Sequence, residues 1–160
     1  MATTWILVSD AARARLFETS GKGTPLTEVA CYANPDLRGL PSKDSPERQH
    51  LPRTHESASQ VRHAIEPHTT RREKSTHQFA DLLVRHLSEG RSHARYDRLF
   101  LVAPPHFLGA LRESLGDPDE AHLAGELAND LVGQSAPELF KRLHKEYPHE
   151  FSEGTARVNA

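Results

Sequence analysis

The sequence predicts a mixed α/β domain, in which a β-sheet with both antiparallel and parallel strands carries helices packed against it. Three short apolar segments separated by turn residues open the chain, and this spacing favours an antiparallel meander. After about residue 70, strand-like and helix-like segments alternate, which favours parallel pairing through right-handed crossovers. Because 160 residues are a usual length for one domain, we expect a single domain over 1–146 and a frayed C-terminal tail over 147–160.

The opening segment predicts three strands, over about 4–9, 13–19 and 25–33. Trp5–Val8 is an apolar run, and the polar pair Ser9–Asp10 marks a turn after it. The stretch "SGKG" marks a second turn, and the third segment then alternates apolar and polar residues. The segment "AARARLFE" could also form a helix, because Ala and Arg favour helices.

A polar segment over 34–70 separates the meander from the rest of the chain. It holds five of the 11 prolines and few apolar residues, so it cannot bury enough surface to offset the entropy lost on ordering. We therefore predict a long polar loop over 34–70. A structureless loop of this length is uncommon inside a compact domain and is usually functional or disordered.

The remaining elements are predicted from apolar periodicity and capping residues. Thr70 and Glu73 have the spacing of a capping box, which predicts a helix that begins there and ends at Gly90. Ser135 and Glu138 repeat this spacing at the start of the last helix. The pattern predicts, in order, a strand over 96–104, a helix over 106–115, a strand over 122–131 and the last helix over 135–146.

Composition excludes several classes of protein. The single cysteine, Cys31, excludes an internal disulfide and a multi-cysteine zinc site. No segment approaches the ~20 apolar residues of a membrane span, and the opening residues lack the features of a signal peptide. We therefore expect a cytoplasmic location and no membrane contact. The formal net charge is −2 with all 11 histidines neutral, so only a local cluster of cations could bind a polyanion.

Motifs for catalysis, metal binding or cofactor binding are weak. In "GQSAP" (133–137), Pro137 replaces the last glycine of a nucleophile elbow, so Ser135 is interpreted as a helix cap. Asp10 is interpreted as a turn residue that accepts hydrogen bonds from backbone N–H groups. Histidines are frequent around the polar segment, but their spacing is not that of a zinc site. We predict no catalytic residue, no metal and no cofactor.

The polar segment carries the best candidate for a binding site. Between Asp36 and Lys74 it has eight Lys and Arg residues against six Asp and Glu residues. Arg71, Arg72 and Lys74 cluster at the predicted helix start, where free backbone N–H groups favour anions. A solvated linker explains the same composition equally well.

Five segments together resemble the bacterial host attachment protein family, over about residues 4–146. They are "WILVSDAARARLFE" (5–18), "RHAIEP" (62–67), "FADLLVRHL" (79–87), "LFLVAPPHFLGALRESL" (99–115) and "ELANDL" (126–131). That family is similar to the middle domain of archaeal and eukaryotic class-1 peptide-chain release factors. The resemblance implies an RNase H-like α/β sheet of the release-factor middle-domain type, in agreement with the element order predicted above.

The resemblance also gives the polar segment an expected role. In the release factors the corresponding loop carries Gly-Gly-Gln, but the segment 34–70 lacks that motif, so peptide release is not implied. What the resemblance implies is a non-enzymatic module that binds RNA or the ribosome. We expect its contacts to be Arg53, Arg62, His63, Arg71, Arg72 and Lys74.

Two alternatives stay open at the level of sequence. One is a host-attachment protein that acts through protein–protein contacts. The other is a hydrolase with an unrecognised site, in which Asp10 and His63 would serve as acid and base.

Overall fold

The computed structural model describes residues 2–21, 24–37 and 58–152, and over 58–70 it describes the backbone only. A five-stranded sheet forms the middle of the molecule, with strand order β3-β2-β1-β4-β5. Its strands are β1 Thr3–Ser9, β2 Arg13–Ser20, β3 Thr27–Ala33, β4 Arg98–Val102 and β5 Leu123–Leu127.

The strand directions confirm the predicted mixed sheet. β2 pairs antiparallel with both β1 and β3, which forms the meander. β4 pairs parallel with both β1 and β5. The helical alternative for "AARARLFE" is wrong, because Leu16 and Phe17 are buried on opposite sides of the sheet, as the two-residue period of a strand requires. The RNase H-like assignment stays a prediction.

In the part of the chain that the structure describes, four helices follow the meander: α1 Ala58–Ser92, α2 Pro105–Ser114, α3 Asp117–Glu120 and α4 Ala136–Glu146. Apolar residues of α1 and α2 pack with Leu7 and Leu101 on one face of the sheet. Leu139 and Leu143 of α4 pack with Ile6 on the other face. The sheet therefore lies between two helical layers. In the ranges given above, no helix combines the length and apolar character needed to cross a bilayer.

Helix α1 begins much earlier than the sequence predicts. It starts at Ala58, so Thr70 lies inside the helix and the prediction of a helix start there is wrong. The part of the predicted 34–70 loop that falls on 58–70 is likewise helical, whereas residues 38–57 lie outside the described part of the chain. Packing of the C-terminal half supplies the costly helix nucleus, after which most added residues cost little even in a polar segment. Pro67 is the exception, because proline in a helix interior removes a hydrogen bond and costs about 3 kcal/mol.

The end of α1 also differs from the prediction. The helix continues past Gly90 to Ser92, and the chain reverses at Ala94, which has a φ of 54°. Gly90 has a packing role instead: a Cβ placed there would lie 2.5 Å from the ring of Trp5. The glycine therefore allows α1 to approach the start of β1 closely.

The short helix α3 was not predicted, and its one buried carboxylate binds it to α1. Asp119 is 5% exposed. It accepts hydrogen bonds from Ser88 Oγ (2.6 Å) and Arg91 Nε (2.7 Å). Ion pairing and hydrogen bonding together compensate the cost of burying this charge.

The expected fraying after α4 is wrong as far as Ser152, the last described residue. Phe151 is 2% exposed, and its ring centroid lies 4.9 Å from that of Phe100. The Tyr147 hydroxyl donates to the Glu126 carbonyl (2.6 Å) and accepts from the Glu126 amide (3.0 Å). Residues 147–152 thus extend the core over β4 and β5.

Candidate functional site

The carboxyl ends of four strands meet at one edge of the sheet, here called the carboxyl edge. β1, β4 and β5 are mutually parallel, and β3 runs the same way because β2 opposes both β1 and β3. In open α/β sheets, ligands bind in the crevice beyond the carboxyl ends of the strands. Asp10 follows β1 and Asn34 follows β3, so both lie at this edge.

Asp10 closes the turn between β1 and β2. Its Oδ1 accepts hydrogen bonds from the backbone N–H groups of Ala12 and Arg13, both at 2.8 Å. Its own backbone N–H donates to the Arg13 carbonyl at 2.9 Å. These contacts confirm the interpretation of Asp10 as a turn residue and account for the carboxylate without a role as acid or base.

Asn34 joins three segments at the carboxyl edge. Its side-chain amide nitrogen donates to the Ala11 carbonyl (2.9 Å) and to Ser75 Oγ of α1 (3.1 Å). Its Oδ1 accepts from the Asp36 amide at 3.1 Å. Sequence reasoning missed this residue, because a contact between positions 41 residues apart leaves no local signal. The contact fixes where α1 crosses the edge of the sheet.

Arg71–Lys74, here called the basic turn, immediately precedes Ser75 in α1. All four residues are exposed, although a helix packed on a sheet would bury one of every three or four. The turn thus stands clear of the sheet and presents three cations against one acid, Glu73. The expected helix N-terminus at this cluster is wrong, because α1 begins 13 residues before Arg71. The cations therefore act without the free N–H groups of a helix start.

The other predicted contacts fall along or before α1. Arg62 and His63 lie within its described backbone. At 1.5 Å per residue, Arg62 is about 13 Å from Arg71 along the helix axis. Arg53 lies outside the described residues. The backbone of α1 thus carries five of the six predicted residues, and the structure describes the side chains of three of them, Arg71, Arg72 and Lys74.

Strand-end carboxylates do not converge at the carboxyl edge. Asp97 precedes β4, and its Oδ2 accepts from the Thr3 amide (2.8 Å) at the opposite edge of the sheet. Asp97 lies beside Thr3, seven residues before Asp10 along β1, so the two carboxylates are separated by about 23 Å along the strand. Across the described ranges, no group of three or more His, Cys, Asp or Glu residues could hold a metal ion.

On the face of the sheet that packs against α4, two side chains hold the loop that precedes this helix. Ser135 Oγ accepts from the Glu138 amide (3.4 Å), which confirms Ser135 as the cap of α4. Arg15 donates to the carbonyls of Val132 (3.0 Å) and Gln134 (2.6 Å). Arg15 also donates to both carboxylate oxygens of Glu28, and these bonds lower the Glu28 pKa. Arg15 is thus a structural cation.

A small cavity of about 150 Å³ lies beside the C-terminal half of α1. The rings of Tyr32 and His86 stack there, with centroids 4.7 Å apart. Burial raises the pKa of the Tyr32 hydroxyl. The Trp5 indole N–H at the wall of the cavity donates to Glu18 (3.1 Å). The stacked pair Tyr32–His86 joins the meander to α1, so the side chains around the cavity have a structural role.

Comparison with known proteins identifies the family. No curated protein matches the chain. A family model described as "Protein required for attachment to host cells" matches residues 5–143, which is most of the chain and includes most of β1, the basic turn and most of α4. The chain therefore belongs to the host attachment protein family.

Proposed function

We propose that this protein is a non-enzymatic cytoplasmic module that binds RNA, with the ribosome as its site of action, through the basic turn of α1. The observation that carries the proposal is the exposure of Arg71, Arg72 and Lys74 on a helical turn that stands clear of the sheet. Among the described residues, none of these three cations forms an ion pair.

Physical chemistry favours a polyanion at such a turn. Cations that are not committed to carboxylates can neutralise phosphates and release condensed counterions. RNA is recognised largely by shape and phosphate, so binding needs no sequence motif in the protein. Further contacts from Arg62 and His63 would lie along the same helix.

The resemblance to release-factor middle domains supports the same partner. In those proteins the segment before the first long helix reaches into the ribosome. The chain lacks Gly-Gly-Gln over 34–70, so the proposal is docking without peptide release. Asp10 already binds the turn after β1, which removes the support for its use as an acid or base.

Co-sedimentation with purified ribosomes tests the proposal. Binding should weaken strongly between about 50 mM and about 200 mM salt. The variant Arg71→Gln/Arg72→Gln/Lys74→Gln should lower the slope of log affinity against log salt by about 2–3. Arg85→Gln is the matched control, because Arg85 is exposed on the same helix but about 20 Å further along its axis. Equal slopes for the triple variant and the control would contradict the proposal.

A second candidate is host attachment through protein–protein contacts, which the family description favours. Direct adhesion requires the protein at the cell surface. Protease treatment of intact cells, followed by detection of the protein, tests that location. Complete protection in intact cells together with digestion after lysis would exclude direct adhesion.

A further inference from the structure

The outer surface of α4 carries a second cluster of cations, which the proposed function does not use. It lies on the face of the sheet opposite α1. A shallow depression of about 380 Å³, here called the α4 depression, is lined by Leu131, Gln134, Glu138, Lys141, Arg142 and Lys145. Three cations and one acid give its lining a net charge of about +2.

Arg142 is positioned in this depression with a donor to spare. In the amide orientation that satisfies both of its polar groups, Asn129 accepts from Arg142 Nη2 at 2.8 Å and donates to the Ala128 carbonyl at 3.0 Å. Arg142 Nε is buried, and no acceptor in the described part of the chain bonds to it. A buried donor without an acceptor is costly, so a ligand oxygen that reaches it after a small movement of the Arg142 side chain would remove that cost.

The floor of the depression is rigid. Arg15 donates to the carbonyls of Val132 and Gln134 and so fixes the loop that leads into α4. The Ser135 cap fixes the first turn of the helix. A site held in this way loses little entropy when a ligand binds.

Helix stability explains the cations only in part: Glu138 stands at the favourable i,i+4 spacing from Arg142, but within the described ranges the two form no ion pair. Lys145 lies in the last turn of α4, where a positive charge favours the helix dipole. Lys141 and Arg142 lie in the middle of α4, and Lys141 repels Lys145 at the i,i+4 spacing. Within the described ranges none of the three forms an ion pair.

We propose that the α4 depression is an anion site that takes a phosphate group. A guanidinium presents parallel N–H groups that match phosphate oxygens, and two ammonium groups add charge-assisted hydrogen bonds. The phosphate could belong to an RNA strand or be a free phosphate, since the chemistry of recognition is the same. The proposal is independent of the basic turn, because it uses other residues on the other face of the sheet.

Titration followed by ¹H–¹⁵N NMR in chloride buffer tests the site. The probes are inorganic phosphate and a short oligouridine. We expect saturable shifts centred on the amides of Gln134, Lys141 and Arg142. Lys141→Gln/Lys145→Gln should weaken binding about tenfold or more, as expected for lost charge-assisted bonds. Arg85→Gln, remote on α1, should leave the affinity unchanged.

A gain-of-binding variant keeps the test decisive if the double variant folds poorly. Glu138→Gln removes the acid among the described lining residues, and the Ser135 cap survives because it uses the Glu138 backbone amide. We expect phosphate to bind several-fold more tightly to this variant. Saturable binding of both probes supports the site and indicates that it accepts the phosphates of an RNA strand. Saturable binding of inorganic phosphate alone supports the site and indicates free phosphate as its ligand. Shifts that do not saturate, or that are the same in Glu138→Gln as in the wild type, would overturn the proposal even if the ribosome binds the basic turn.

Discussion

At the scale of single residues, two glycines show that the surrounding atoms decide whether an added methyl group stabilises or destabilises the fold. Gly125 lies in β5 beneath the C-terminal segment, and a Cβ there would lie 2.7 Å from both Phe100 and Tyr147. Gly109 lies on the exposed side of α2, where a Cβ would meet nothing within 4 Å. The sequence alone gives no means to distinguish the two.

These glycines provide a matched pair of substitutions. Gly125→Ala should lower the free energy of unfolding by about 1–3 kcal/mol, because the added methyl group overpacks two aromatic rings. Gly109→Ala should raise it by up to about 1 kcal/mol, because alanine is the better helix former. Urea unfolding of both variants measures the difference. Effects of the same sign would contradict the packing described for residues 147–152.

Tyr96 predicts a specific response to alkaline pH. Its hydroxyl donates to the Leu87 carbonyl at 2.8 Å, and burial raises its pKa from 10.0 to about 12. The unfolded chain therefore loses this proton first. The Tyr96 contribution to the free energy of unfolding should be constant below pH 10 and decline between pH 10 and pH 12.

The variant Tyr96→Phe isolates this effect from other groups that titrate in the same range. The phenylalanine variant should be less stable near neutral pH, because the Leu87 carbonyl loses a donor. The difference from the wild type should shrink as the pH rises through that window. A constant difference between the two proteins would show that Tyr96 keeps its ordinary pKa.

At the scale of elements, Arg15 connects the meander to the opposite end of the chain. It lies on β2 and holds both Glu28 of β3 and the loop before α4. Arg15→Gln should lower the free energy of unfolding by about 1.5–3 kcal/mol, because hydrogen bonds from a charged group are lost. Arg13→Gln, two residues earlier on the same strand and exposed, should change it by less than about 0.5 kcal/mol. Similar losses in thermal or urea unfolding would contradict this role.

The elements differ in how well the sequence predicts them. The strands of the meander follow from short apolar or alternating segments between turn residues, and the α4 cap follows from Ser135 and Glu138, because both signals are local. The start of α1 could not be predicted, since residues 66–74 contain no aliphatic or aromatic residue to continue a stripe, and Pro67 usually ends a helix. The hydrogen bonds of Asn34 with Ser75 and of Asp119 with Ser88 join residues that are far apart in the sequence, so no local sequence pattern predicts them. Arg71, Arg72 and Lys74 were predicted as a cluster in the first turn of a helix, whereas they lie in the interior of α1.

At the scale of the whole molecule, the C-terminal segment is part of the core. Phe151 packs on Phe100 of the sheet and on Phe140 of α4, so it is part of the hydrophobic core between the sheet and α4. Phe151→Ala should lower the free energy of unfolding by about 3–5 kcal/mol, with Phe151→Leu retaining most of the stability. Denaturant unfolding checks both variants. A loss below about 0.5 kcal/mol for the alanine variant would mean that the segment does not contribute to the fold.

The parallel pairing of β1 with β4 has a consequence for synthesis of the chain. Thr4 pairs with Arg98, so the central strand gains its second neighbour only after 94 more residues have been made. At about 5–20 residues per second this takes about 5–20 s. During that interval the unpaired edge of Ile6–Val8 offers unsatisfied backbone groups to the surroundings. The apolar side chains of these residues are exposed as well, because the helices that cover both faces of the sheet come later in the chain. The nascent meander is therefore expected to be a client of chaperones that bind growing chains, and without them to aggregate more readily than the finished protein.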